Sequence, residues 1–193
     1  MKKKAVFLDR DGTINIDVGY PSSFDQVRIY PSAFEALGKL NEAGFLAVIV
    51  TNQSGVGRGL FTEDALRELH SRLLASFARR GVRVDAVYYC PHYDPAERSE
   101  SQKSCPCRKP NPEMGLRAAA DLDLDLRASY MIGDKVEDIE FGWNIGATPV
   151  LVRTGFGAAA ERLFLDRPVR PAAVADTLLD AVDWILRREK SGP

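Results

Sequence analysis

The chain has 193 residues, 45% of them hydrophobic, which is enough for one well-filled core and too little for two large ones. A formal net charge of −1 gives no electrostatic reason for a nucleic-acid or anionic-membrane partner, and no apolar run approaches the ~18 residues of a bilayer span. The 3 cysteines, an odd number, do not make a disulfide framework at this length, so a soluble cytoplasmic protein is expected.

The basic start MKKK is followed by too short an apolar stretch for a signal-peptide core. That stretch, AVFLD at 5–9, reads as the first strand and runs into Asp9-Arg10-Asp11-Gly12-Thr13. SAFEALGKLNEAG is the first predicted helix, with Ser32 and Glu35 at capping-box spacing and Gly44 at its end. LAVIVT (46–51) is a second strand, ending in Thr51-Asn52-Gln53-Ser54-Gly55. A helix opening at Thr62 puts Leu66, Leu69, Leu73 and Phe77 on one face and stops at Gly81. His70, near that face, is expected to be a packing or surface residue. AVYYC (86–90) is a third strand, and the polar insertion 93–104 follows it. Asn111 reads as an N-cap with Pro112 in the first turn. SYMIGD (129–134) and TPVLV (148–152) are further strands, and DTLLDAVDWILRREK closes the chain as an amphipathic helix.

Unbroken apolar strands suit a parallel sheet covered on both faces. Their alternation with helices predicts an α/β class fold, a Rossmann-like open parallel sheet with right-handed crossovers. No repeat or linker marks a boundary, so residues 1–193 are read as one domain, and a monomer is expected.

In open α/β sheets, ligands lie beyond the carboxyl ends of the strands. Those ends carry Asp9, Asp11, Thr51, Asp134 and Lys135. Carboxylates converging on one crevice repel each other unless a hard divalent cation such as Mg²⁺ balances them, and such an ion usually works on substrate phosphate. DRDGT taken alone could equally be a polar turn closed by Gly12. Agreement among the strand ends argues for the crevice.

FLDRDGTIN, VIVTNQSG, a lysine followed by proline at 109–110, and MIGDKVEDIE resemble the four ordered motifs of the haloacid dehalogenase superfamily of aspartyl phosphatases. The resemblance implies Asp9 as the nucleophile and Asp11 as the acid, then the base. It implies Mg²⁺ held by the carboxylates of Asp9 and Asp134 and the main-chain carbonyl of Asp11. Thr51 and Lys109 would stabilise the transferring group, and Lys135 would touch phosphate or steady Asp134. Asp138 would support the metal ligands without being one.

Cys90, His92, Cys105 and Cys107 take in every cysteine and one of the 2 histidines. Three thiolates and an imidazole suit a closed structural zinc site, although the C-x-H and C-x-C spacings are tighter than the common C-x-x-C. A buried reduced set, or a Cys105/Cys107 redox pair, stands as the alternative. Zinc here would order the polar insertion and fix the backbone entering Arg108-Lys109. With VGYP and CRKPNP, the loop resembles the branch of the superfamily that dephosphorylates heptose bisphosphates or histidinol phosphate. That branch implies a minimal cap. It also implies substrate contacts from Asp17, Val18, Gly19, Tyr20, Asn52, Gln53, Ser54 and Lys135, with Arg108 on a second phosphate. Histidinol phosphate or nucleic-acid ends as substrate, a zinc-stabilised phosphosugar-binding module and a cysteine redox protein are the other readings. The balanced charge and the lack of an aromatic-basic stripe weigh against nucleic acid.

Overall fold

The computed structural model describes residues 2–93 and 105–191, so most of the polar insertion lies outside the described residues. Its strands are β1 (Ala5–Leu8), β2 (Leu46–Asn52), β3 (Ala86–Cys90), β4 (Tyr130–Gly133), β5 (Thr148–Val152) and β6 (Ala173–Ala175). They form one parallel sheet in the order β3-β2-β1-β4-β5-β6. Val6 faces Ala47 on one side and Tyr130 on the other, so β1 has neighbours along both edges. Every residue of it is buried, which is why its sequence is apolar without alternation.

Successive side chains of β1 enter opposite cores. Val6 and Leu8 pack with Leu37 and Leu40 of α1 (Pro31–Glu42), Leu73 and Phe77 of α2 (Glu63–Ala78), and Val182 and Ile185 of α6 (Leu178–Ser191). Ala5 and Phe7 face Met114 and Ala118 of α3 (Glu113–Leu122) and Phe141 of α4 (Val136–Ile145). The Phe7 and Phe141 rings meet edge-on at 6.3 Å. Each large apolar side chain buried this way contributes roughly 1.5–3 kcal/mol, so the leucine stripe of α2 suffices to dock it.

Helix starts separate what local sequence can say from what packing imposes. Thr62 caps α2 as predicted, its hydroxyl accepting from Ala65 N at 3.1 Å. The other two caps differ from expectation. α1 opens a residue earlier, with Pro31 in its first turn, and has no side-chain cap. Glu35 points instead to Lys39, 3.3 Å away. α3 starts only at Glu113, with Pro112 at its N-cap, and the Asn111 side-chain amide donates to Cys105 O at 2.8 Å. Three elements were not anticipated: α4, α5 (Gly157–Leu163) and the edge strand β6, whose short AVA segment is held by pairing with β5.

The strand order reverses at β1: the chain moves outward to β2 and β3, then returns to β4 beside β1. The crevice beyond β1 and β4 therefore lies at the switch point of the sheet.

Candidate active site

Asp9 leaves β1 with its amide donating to Ile132 O of β4 at 2.9 Å, which ties the two strand ends together. Its Oδ1 accepts from Lys109 Nζ at 2.6 Å. The same ammonium donates to Asp138 Oδ1 at 2.7 Å and to Val50 O at 2.8 Å. Burial pushes the Asp9 carboxyl up to about 6, with Lys109 opposing that rise. Burial alone would lower Lys109, yet Asp138 and Asp9 hold it above its ordinary value, so it stays charged. A pair of hydrogen bonds fixes the backbone behind it: Lys109 N donates to Asn52 Oδ1 at 3.0 Å, and Asn52 Nδ2 to Lys109 O at 3.2 Å.

Asp134 carries the strongest sign of a cation site. Its Oδ2 accepts from Phe156 N at 2.8 Å, while its buried Oδ1 has no hydrogen-bond partner. Burial, then the charges of Asp9 and Asp138, push this carboxyl up to about 8. Oxygens of Asp9, Asp134 and Asp138 all lie within 4.8 Å of one another. The hard donors and the orphaned Oδ1 fit Mg²⁺. Both Asp138 oxygens have protein donors, Lys109 Nζ and Lys135 N, the latter at 3.0 Å. Space around Asp134 is tight. A Cβ on Gly12 (φ +95) or on Gly155 (φ +56) would overlap its Oδ2.

Asp11 sits apart from that cluster, held by neighbours on every side. Arg10 Nη2 donates to its Oδ2 at 2.6 Å, Gln53 Nε2 to Oδ2 at 2.9 Å, and Asn15 Nδ2 to Oδ1 at 2.9 Å. Burial favours its neutral form, but the Arg10 guanidinium and these donors together hold the carboxyl below its usual value. Gln53 Nε2 also donates to Thr51 Oγ1 at 2.8 Å.

Asp9, Asp11, Thr51, Asn52, Lys109, Lys135, Glu137 and Asp138 line a cavity of about 30 Å³. Two sequence-predicted segments border the exit. Lys135 Nζ reaches Asp17 Oδ2 at 3.2 Å, and Asp17 Oδ1 accepts from Gly19 N at 2.9 Å. Val18 and Tyr20 remain exposed, and Tyr20 lies against Gly55 and under Arg58. Arg108 has a buried Nη1 with no partner. Ser54 is engaged through its carbonyl, which accepts from Arg58 N at 2.9 Å.

The cysteine cluster closes as a tetrahedron. Cys90 and Cys105 sulfurs are 3.7 Å apart, and Cys105 and Cys107 3.5 Å. His92 Nδ1 lies 3.7, 3.3 and 3.2 Å from Cys90, Cys105 and Cys107. Metal–sulfur arms of ~2.3 Å require edges of about 3.8 Å, close to these values. All three thiols are free. Burial pushes those of Cys90 and Cys107 up, so ionised sulfurs here need a cation among them. The cluster is wired to the crevice: Cys90 O accepts from Gln53 N at 2.8 Å, and Cys105 O from Arg108 N at 3.1 Å.

Sequence reasoning missed three contributors: Arg10, Asn15 and the Gly155-Phe156 turn. Arg10 was visible between two aspartates. Nothing local ties Phe156 to Asp134, because the loop after β5 meets the β4 end only in the fold. His70 was expected to be a packing or surface residue; it is buried, with Nε2 3.0 Å from Arg10 Nη1.

The HAD-hydrolase-like family pattern matches residues 106–181. Among curated relatives, the D-glycero-beta-D-manno-heptose-1,7-bisphosphate 7-phosphatase of Yersinia pestis is 46% identical over 159 residues, 81% of this chain and 84% of the relative. The protein of that name from Haemophilus ducreyi is 47% identical over 187 residues, 96% of this chain and all of the relative. The crystal structure of D,D-heptose 1,7-bisphosphate phosphatase from B. bronchiseptica, complexed with magnesium and phosphate, superposes with a TM-score of 0.83 at 32% identity, covering 95% of this chain and 98% of that one. On its fold, its motifs and these likenesses, the chain belongs to the haloacid dehalogenase-like phosphatases, in the family of the heptose-1,7-bisphosphate 7-phosphatases.

Proposed function

We propose that this chain removes the 7-phosphate from D-glycero-D-manno-heptose 1,7-bisphosphate through an aspartyl-phosphate, on the route to nucleotide-activated heptose for surface glycans. The observation that carries the reading is Asp9, bonded to Lys109 in the cavity beyond β1, with an oxygen of the half-partnered Asp134 within 4.8 Å of it. The relatives' names supply the substrate, and they specify its β anomer.

Asp9, Asp134 and the carbonyl of Asp11 are the groups that would hold Mg²⁺. When bound, the ion offsets the charge between an anionic nucleophile and an anionic ester. A carboxyl near 6 leaves Asp9 ionised at neutral pH, and it attacks phosphorus while the bond to the leaving sugar oxygen breaks. Asp11 gives that oxygen its proton, then takes one from the water that later attacks the same phosphorus. An arriving phosphate dianion places negative charge beside Asp11, which favours the protonated form the first step requires. Thr51 and Lys109 bind the equatorial oxygens of the transferring group.

Recognition of the sugar would fall to the residues around the cavity. There Asp17-Val18-Gly19-Tyr20 would flank the sugar, Asn52, Gln53 and Ser54 would contact it, and Lys135 ties Asp17 to the crevice. Arg108, half-buried beside Lys109, would meet the 1-phosphate with its guanidinium. Cys90, His92, Cys105 and Cys107 hold a structural Zn²⁺ that fixes the entry to Arg108-Lys109. We read the chain as one cytoplasmic domain acting as a monomer. Free, metal-ready thiols agree with a reducing compartment, and no helix among the described residues is long and apolar enough to cross a membrane.

The deciding experiment measures Mg²⁺-dependent phosphate release from both anomers of the bisphosphate and from histidinol phosphate. Preference for the β-heptose bisphosphate, with turnover reduced by several orders of magnitude in Asp9→Asn, is expected. Turnover surviving that change removes Asp9 as nucleophile; preference for histidinol phosphate removes the proposed substrate.

A further inference from the structure

Arg10 is among the largest fully buried side chains of the described residues, and its guanidinium meets three partners on two edges. One edge meets Asp11, through Nε at 3.1 Å to both oxygens and Nη2 at 2.6 Å to Oδ2; Nη2 also reaches Gln53 Oε1 at 3.1 Å. The other edge meets His70 of α2, a helix that carries none of the four motifs, at 3.0 Å between Nη1 and Nε2.

A guanidinium has only donors, so Nε2 is the acceptor and the ring proton sits on Nδ1. Burial and the Arg10 charge push His70 down to about 3, so the ring is neutral. Neutrality matters. A carboxylate in its place would compete with Asp11 for the guanidinium, and a protonated imidazole would repel it. The guanidinium is a rigid plane, so anchoring Nη1 fixes the direction in which Nε and Nη2 point. The His70 ring is itself braced by Tyr89, 5.5 Å away between centroids, whose hydroxyl donates to Glu63 Oε1 at 2.8 Å.

We propose that His70 is a positioning residue of the phosphatase: it orients Arg10, and through Arg10 the Asp11 carboxyl, for proton transfer to the leaving oxygen. This rests on the reading of Asp11 as the acid of the first step. In that step the Asp9–phosphorus bond forms, the phosphorus–oxygen bond to the sugar breaks, and the Asp11 proton goes to the departing oxygen. Misaim of the acid therefore harms substrates whose leaving group needs a proton and spares those whose leaving group does not.

The test compares kcat/KM of the Mg²⁺-loaded full chain on the heptose bisphosphate and on p-nitrophenyl phosphate, whose phenolate leaves unprotonated. This ratio reports the steps up to transfer onto Asp9. His70→Leu is expected to lower kcat/KM about tenfold or more on the sugar phosphate and less than about threefold on the aryl ester. His70→Gln, whose amide oxygen can take the place of Nε2, is expected to restore most of the sugar-phosphate rate. Equal losses on both substrates, or no recovery with glutamine, would overturn the proposal. Should the leucine variant not fold, His70→Asn, too short to reach Arg10, is set against His70→Gln with the same two outcomes. Asp11→Asn separates the layers. Leaving-group selectivity in Asp11→Asn without it in His70→Leu sinks the role of His70 alone; its absence in Asp11→Asn sinks the acid assignment and this proposal with it.

Discussion

Gly155→Ala probes whether the loop after β5 sets the aim of Asp134. Gly155 has φ +56, a conformation that costs an L-residue roughly 1–2 kcal/mol. Gly59, at φ +72, has nothing within 4 Å of where its Cβ would stand, so Gly59→Ala carries that backbone penalty alone. At Gly155 the new methyl would overlap Asp134 Oδ2 and lie 2.6 Å from Gly12 Cα. Carbon contacts settle near 3.5–4.0 Å, so the loop or the carboxylate must yield by about 1 Å. Either movement breaks the bond from Phe156 N to Asp134 Oδ2. A hydrogen bond to a charged group is worth about 1.5–3 kcal/mol, which corresponds to a loss of about 10- to 150-fold in Mg²⁺ affinity. Mg²⁺ tolerates little departure from octahedral geometry, which makes the affinity a sensitive readout. The assay follows the Mg²⁺-induced rise in Tm beside the Mg²⁺ dependence of turnover, with Gly59→Ala as reference. A Gly155→Ala protein that binds Mg²⁺ like wild type, and is no less stable than Gly59→Ala, would refute the cradle.

Arg108→Ala is expected to reduce kcat/KM for the bisphosphate by about 10- to 100-fold while leaving a monophosphate within about threefold, the difference being one charge-assisted contact; equal losses measured side by side would mean that Arg108 does not read the second phosphate. Cys107→Ala is expected to empty the zinc site and lower unfolding stability by more than about 3 kcal/mol, followed by metal analysis and denaturant titration; a zinc-free variant as stable and active as wild type would contradict the positioning role. His70 also governs acid stability. It is neutral in the fold down to about pH 3 but takes up a proton near 6.5 when unfolded, so stability falls as pH drops below 6.5. Between pH 6.5 and 5 the loss from this group is about 2 kcal/mol, and His70→Gln should abolish it in denaturant titrations at the two pH values; unchanged acid sensitivity would mean His70 is not held neutral.

Much of this was legible in the chain because its signals are local. AVFLD, LAVIVT and MIGD are apolar to the last residue because their strands lie inside a sheet covered on both faces, and the polar residue that ends each run marks the crevice. Asp9, Asp11, Thr51 and Asp134 could therefore be named without coordinates. The cysteines were equally plain, since Cys90, Cys105 and Cys107 are all the chain has and fall with His92 within eighteen positions. The capping expectations at Ser32 and Asn111 failed because α1 opens on Pro31, whose fixed φ suits a first turn, and α3 opens only after Pro112, with the Asn111 amide donating to Cys105 O.

Sequence by itself determined the strand–helix alternation, the residues at the strand ends and the clustering of the cysteines with His92, because hydrophobic period and residue type act over a few positions. Only the tertiary structure decided that His70 stands behind Arg10, that Gly155 and Phe156 N close on Asp134, and that Asn52 clamps Lys109. Those contacts join segments that no short-range periodicity relates. They exist because folding the sheet at its switch point brings loops from different strands against the same buried charges.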